Sequence, residues 1–280
     1  MNIKYFGKAL FFVPVILISI GIFFCFQGGK VKIPKENFET FGISAEALIN
    51  IKELSELCGT NFYTALSLYM IENNFFDEKK EYSEEEIKNF FGNYKNIKAK
   101  YTDKEINPYR DIIINIFEDL KTFPTDTGSK GQYYYGDSYG APRTYGGKRI
   151  HKGTDIFDSE NIRGRLAVYS MTDGVIEKTG WNEKGGYRVG IRSENGVYYY
   201  YAHLDSYAEG IREKNVIKAG TVLGYMGDSG YGKEGTRGNF PVHLHIGISP
   251  ETKLYRGEVW VNPYPFLKCL EKSIIQEEGV

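Results

Sequence analysis

Residues 187–205 read YRVGIRSENGVYYYYAHLD. Two runs rich in Val, Ile and Tyr flank Asn195-Gly196, a pair that favours a tight mirror-image turn because both central positions of that turn need positive φ. The stretch predicts an antiparallel hairpin between the strand at 187–193 and the one ending at His203. Similar short runs, RLAVYS, GVIEKTG and TVLGYMG, lie on either side, separated by glycine-containing turns. Strands of this length and spacing indicate an antiparallel sheet or a small barrel-like sandwich. Strict alternation would put Tyr199 and Tyr201 on the His203 face, with Tyr201 the better placed to touch a substrate.

The chain has four histidines in 280 residues, all in its second half: His151 in HKGTD, His203 in YYAHLD, and His243 with His245 in HLHIG. Imidazole is a common zinc ligand and the usual base near neutral pH, so this grouping points to one site built from them. On a strand, residues i and i+2 share a face, so His243 and His245 project side by side while Leu244, Ile246 and Ile248 bury the other face. His151 and Asp155 stand four apart with Gly153 between them, a spacing that can bring an imidazole and a carboxylate onto one ion in a turn. Together they offer nitrogen and oxygen donors suited to tetrahedral zinc, and none of Cys25, Cys58 or Cys269 lies near these segments. No His-Glu-x-x-His segment occurs, so no carboxylate stands at that spacing to act as a base beside a metal, and a histidine must do that work.

HKGTD, YYAHL and HLH, in this order and separation, resemble the lysostaphin-type zinc metalloendopeptidases, which cut peptide cross-links in bacterial peptidoglycan. The resemblance covers residues 136–266. It implies His151, Asp155 and His245 as zinc ligands and His203 with His243 as the catalytic pair. Tyr145, six residues before His151, resembles a tyrosine that assists the transition state in some members. The sequence departs from the family pattern after His-x-His, where Ile246 and Gly247 replace a carboxylate or amide, and before it, where Pro241-Val242 replaces Gly-Pro. Residues 227–241, GDSGYGKEGTRGNFP, are long for the family, either a tolerated surface insertion or a wall of the substrate groove. The implied substrates are peptidoglycan peptide stems. The alternative is a non-catalytic envelope scaffold or regulator on the same fold, which would need none of these five ligand and histidine positions.

The first half is organised differently. From Ala9 to Phe26 there are 18 uncharged residues, enough at about 1.5 Å each to approach the hydrocarbon thickness of a bilayer. This predicts an uncleaved single-pass anchor in the cell membrane, with a cleaved signal peptide as the competing reading, and the enzyme reading implies that the C-terminal domain faces outward. Ser44 and the Ser83/Glu86 pair are helix-capping signals, and Asn107-Pro108 reads as the start of a helix whose stripe is Tyr109, Ile112, Ile113, Ile116, Phe117 and Leu120, stopped by Phe123-Pro124. The expected organisation is multi-domain: a cytoplasmic stub (1–8), a transmembrane helix (9–26), a linker (27–40), a small α-helical domain (41–124), a mainly antiparallel β, lysostaphin-like catalytic domain (125–270) and a tail (271–280). With 35 basic and 36 acidic residues there is no polycationic signature for nucleic acid.

Overall fold

The computed structural model describes residues 31–76, 78, 79, 81, 83–128 and 132–277, without the side chains of 274–277. The apolar run from Ala9 to Phe26 lies outside them. Among the described residues no helix is long and apolar enough to cross a membrane.

The helices of the first half are α1 (Lys35–Thr40), α2 (Ala45–Leu57), α3 (Phe62–Glu72), α4 (Glu84–Gly92), α5 (Tyr94–Ala99) and α6 (Asp103–Asp119). Local chemistry sets their ends. Ser44 accepts the Ala47 N–H at 3.1 Å to open α2, which closes at Cys58 before Gly59 at φ 62°. Ser83 likewise opens α4, accepting the Glu86 N–H at 3.4 Å. α6 begins one turn earlier than Asn107-Pro108 suggests. Glu105 reaches back to accept the Thr102 N–H at 2.9 Å, so Thr102 caps the helix and Pro108 falls inside it.

The strands follow: β1 (Tyr133–Tyr135), β2 (Pro142–Arg143), β3 (Arg149–Ile150), β4 (Thr154–Asp158), β5 (Ala167–Tyr169), β6 (Gly174–Lys178), β7 (Trp181–Asn182), β8 (Gly186–Arg192), β9 (Val197–Tyr207), β10 (Val216–Ile217), β11 (Val222–Met226) and β12 (His243–Pro250), before the terminal helix α7 (Tyr264–Glu277). One sheet runs β1-β4-β12-β9-β8-β6-β10, with β11 joining β5 to β9, and its pairings are antiparallel. The expected hairpin is β8-β9. Its turn is wider than the mirror-image type because only Gly196 takes positive φ, at 81°, while the Ser193 hydroxyl accepts the Val197 N–H at 3.0 Å and closes a longer loop.

The sheet has two unlike faces. One carries Ile156, Val189, Ile191, Tyr199, Tyr201, Ile246 and Ile248, all fully buried in a core shared with Leu48, Ile113 and Phe266 of the helices. Phe266 of α7 seats this contact, with its ring 4.8 Å from Phe41 and 5.2 Å from Phe117. The other face is an open groove of 1620 Å³ floored by β8, β9, β12 and β4.

Candidate active site

The register places the polar residues of that groove. β12 pairs with β4 as His243↔Phe157 and His245↔Asp155, and with β9 as His245↔Ala202, so these side chains stand on one face. His203 would fall on the core face by alternation. It does not, because β9 is bulged there: Tyr187↔Leu204 and Val189↔Tyr201 leave Ala202 and His203 together opposite Arg188, and His203 takes φ 64°. The bulge turns His203 into the groove beside His243, ring centroids 4.7 Å apart. Tyr199 and Tyr201 stay in the core, where the Tyr201 hydroxyl accepts the Met171 N–H at 2.8 Å. The residues that line the groove are therefore Tyr198 and Tyr200, and Tyr201 is not a substrate contact.

Three ligand atoms converge. His151 Nε2 lies 2.9 Å from His245 Nδ1 and 3.0 Å from Asp155 Oδ1, and His245 Nδ1 lies 3.0 Å from that same oxygen. Arg143 donates to the other carboxylate oxygen, Oδ2, at 2.6 Å, which leaves Oδ1 to the cluster. Backbone carbonyls fix three of the imidazoles, since a carbonyl only accepts and the facing nitrogen must carry the proton. His151 Nδ1 donates to Ser138 at 2.9 Å, His203 Nδ1 to Ser229 at 2.8 Å and His243 Nδ1 to Pro241 at 2.7 Å. In their neutral forms each keeps an Nε2 lone pair.

Burial favours the neutral forms of His203, His243 and His245. It pushes His203 well below the ordinary histidine range, helped by His243 and His245, and pushes His243 down as well. His245 is pushed down to about 4 by burial, against the pull of Asp155. Burial alone would raise Asp155, but hydrogen bonds with His151 and His245 and the nearby His243 hold it well below the usual carboxylate range. These surroundings favour a carboxylate at Asp155 and unprotonated imidazoles at His203, His243 and His245, the forms in which such groups bind a metal or accept a proton.

The donor set fits zinc. Bonds of about 2.0–2.2 Å in tetrahedral geometry separate ligands by about 3.3–3.6 Å, so the triangle need open by only a few tenths of an ångström. Gly153 belongs to the same fit, because a Cβ there would run into the His245 ring and the Ile246 carbonyl. Lys152, its neighbour, pairs with Glu39 of α1 at 3.0 Å, and Glu39 also accepts the Trp260 N–H at 3.1 Å. The helical region is thus tied directly to the HKGTD segment.

Tyr145 stands apart from the histidines. Its ring stacks on Tyr231 at 4.3 Å and its hydroxyl donates to Glu183 at 3.3 Å. Tyr231 in turn meets His203 edge-on at 6.0 Å. Tyr231, Phe240 and Pro241 all come from the glycine-rich loop at 227–241, so that loop is a wall of the groove. It also supplies the Ser229 and Pro241 carbonyls that orient His203 and His243. Sequence reasoning did not single out Tyr200, Arg143, Tyr231 or the orienting carbonyls. The bulge at Ala202–His203 hid the side on which Tyr200 stands, and Arg143 sits in a short hairpin with no distinguishing pattern.

Residues 149–262 match the model of peptidase family M23. Over 146 residues, 52% of the chain, the sequence is 43% identical to the L-Ala–D-Glu endopeptidase of Bacillus subtilis (strain 168), of whose length that match spans 43%. It is also similar to a crystal structure from Ruminococcus gnavus ATCC 29149, of a protein, lytM, proposed to be a glycyl-glycine endopeptidase. That structure is 37% identical, superimposes with a TM-score of 0.64, and covers 86% of this chain and 92% of its own. The likeness therefore extends beyond the β-sheet into the helical region. With the motifs, the groove and these relatives in agreement, the chain belongs to peptidase family M23.

Proposed function

We propose that this chain is a zinc-dependent endopeptidase of bacterial peptidoglycan, and that the bond it cuts is the one between L-alanine and D-glutamate in the stem peptide. One observation carries the reading: the His151, Asp155 and His245 ligand atoms form a 2.9–3.0 Å triangle beside two histidines whose Nδ1 protons are already committed to carbonyls. The choice of bond is supported by the 43% identity to the Bacillus subtilis enzyme.

His151 Nε2, His245 Nδ1 and Asp155 Oδ1 would hold the zinc, which when bound supplies the positive charge that acidifies a water and polarises the scissile carbonyl. His203 and His243 divide the remaining work through Nε2. One would take the proton of the attacking water and pass it on to the leaving amine, and the other, when it has taken a proton from solvent, would donate a hydrogen bond to the oxygen that gains charge. The Ser229 and Pro241 carbonyls keep both rings in the required tautomer throughout. Tyr200, edge-on to His245 at 5.9 Å, and Phe240, 4.6 Å from His203, wall the site against water. Residues 9–26 are proposed to hold the domain at the outer face of the cell membrane, a placement that recovery of the intact protein in the soluble fraction would contradict.

The test is cleavage of purified peptidoglycan by the zinc-loaded full chain, with mass spectrometry of the released fragments. New peptides starting at a glutamyl residue, lost in His243→Ala, are expected. A zinc-loaded protein that releases no peptide, or releases the same peptides after His243→Ala, would sink the proposal.

A further inference from the structure

The groove floor carries several arginines, and all but one are engaged. Arg143 pairs with Asp155, Arg149 donates to the Tyr231 hydroxyl at 3.0 Å, and Arg192 pairs with Glu177 at 3.0 Å while stacking on Tyr198 at 5.0 Å. Arg188 differs. Among the described residues no carboxylate or hydrogen-bond acceptor meets its guanidinium, and its Nε is shut off from solvent without a partner. The enclosed Nε is out of a ligand's reach, but Arg188 lines the groove, and the terminal N–H donors of its half-buried guanidinium are left for something to complete.

Its position says what that something touches. Arg188 lies at the bulge opposite Ala202 and His203, and Ala202 pairs with His245, which pairs with Asp155. The four residues form one row across the sheet, from the unpaired cation to the metal-ligand triangle. Ala202 contributes only a methyl to this row, while the Tyr198 phenol lies over Gly190 and the Tyr200 hydroxyl lies near Gly185, so two phenols flank the stretch of groove between Arg188 and His245. Tyr198, Tyr200 and Tyr207 surround Arg188 as neutral phenols, all raised by burial and partly drawn back by its charge. Lys178 and Lys184 add positive charge at the exposed rim.

We propose that Arg188 is the specificity residue that receives a free carboxylate of the peptide, carried within about two residues of the bond that is cut, since strands about 4.8 Å apart place it two strands from His245. The proposal rests on the peptidoglycan-endopeptidase reading above and narrows it to acidic peptides. A planar guanidinium among aromatic walls suits a carboxylate, which it can bind through two parallel N–H donors. A glutamyl residue in a chain uses one of its two carboxyl groups and leaves the other free, so an alanyl-glutamyl bond brings this partner into the groove. A glycyl-glycine bond brings none.

The test uses two synthetic peptides containing the L-Ala–D-Glu bond, identical except that the free carboxylate of one is a carboxamide in the other. Binding to the zinc-loaded full chain is measured by calorimetry, and cleavage by chromatography, for the wild type and Arg188→Gln. The carboxylate peptide is expected to bind and be cleaved about 10- to 100-fold better than the carboxamide by the wild type, as for a charge-assisted pair. Arg188→Gln is expected to erase that preference by weakening the carboxylate peptide far more than the carboxamide peptide, and Arg188→Lys to restore part of it. Equal binding of the two peptides by the wild type, or an equal loss on both in Arg188→Gln, overturns the role of Arg188. If the wild type releases nothing from peptidoglycan, the endopeptidase reading fails, while the binding pair still decides whether Arg188 selects a carboxylate.

Discussion

Strand β9 shows two surfaces of one sheet made from a single run of four tyrosines. Tyr199 and Tyr201 are wholly enclosed, their hydroxyls bonded to Asp119 at 3.2 Å and to the Met171 N–H, and they help to hold sheet and helices together. Tyr198 and Tyr200 face the groove with His245, Arg188 and Trp260. The same residue type thus serves stability on one face and the site on the other, and the bulge at Ala202–His203 is what moves a histidine from the first set to the second. Substitutions on the two faces should therefore separate into losses of metal and activity and losses of folding free energy.

The largest effect expected on the groove face is from His245→Ala. Removing one of three candidate ligands should cost about 4 kcal/mol of transition-state stabilisation, or about a thousandfold in kcat/KM. Zinc content measured by mass spectrometry should fall below one per chain, with the melting temperature of the metal-free protein little changed. Full zinc occupancy in His245→Ala would remove that residue from the ligand set. Gly153→Ala is the next step down. Its methyl would press on the His245 ring without deleting any ligand, so zinc affinity should weaken by about 10- to 100-fold, the range seen when groups that orient ligands are disturbed. Competition with a chromogenic chelator measures this, and unaltered affinity would mean that the segment yields around the new methyl.

The core face is tested by Tyr201→Phe. It leaves the Met171 N–H buried without its acceptor, a cost of about 1–3 kcal/mol that should lower the melting temperature by several degrees. Cleavage per folded molecule should stay at the wild-type rate. A drop in turnover without a drop in stability would place Tyr201 at the substrate after all, as plain alternation along β9 suggests.

That alternation is where the sequence misleads, and the reason is local. Hydrophobic periodicity reveals strands, and it located β5, β6, β8, β9 and β11, but a bulge adds one residue to one strand and inverts the parity beyond it. Nothing in YYYYAHL marks where the extra residue falls. The convergence of His151, Asp155 and His245 was legible because their spacing survives any such shift: two of them lie in one loop-strand segment and the third in a strand that pairs with it. The orienting carbonyls of Ser229 and Pro241 were not legible, since every residue has a carbonyl and only the fold decides which one meets an imidazole. α7 and the short helix α1 also escaped notice, α1 because six residues are too few to show a period.

The start of α6 gives the smallest effect and the cleanest contrast with the groove. Asn107-Pro108 has the form of a cap followed by a first-turn proline, yet the helix opens at Thr102, whose N–H and hydroxyl both reach Glu105 at 2.9 Å. The Asn107 side-chain oxygen is buried without a partner and caps nothing. Thr102→Ala should therefore cost about 1 kcal/mol and lower the melting temperature by about 2–4 °C. Asn107→Ala should be neutral or slightly stabilising, because alanine favours a helix interior and the substitution removes an unsatisfied acceptor. Neither should alter zinc content, since neither residue touches the groove. The opposite order of the two melting shifts would move the cap back to Asn107 and shorten α6 by a turn.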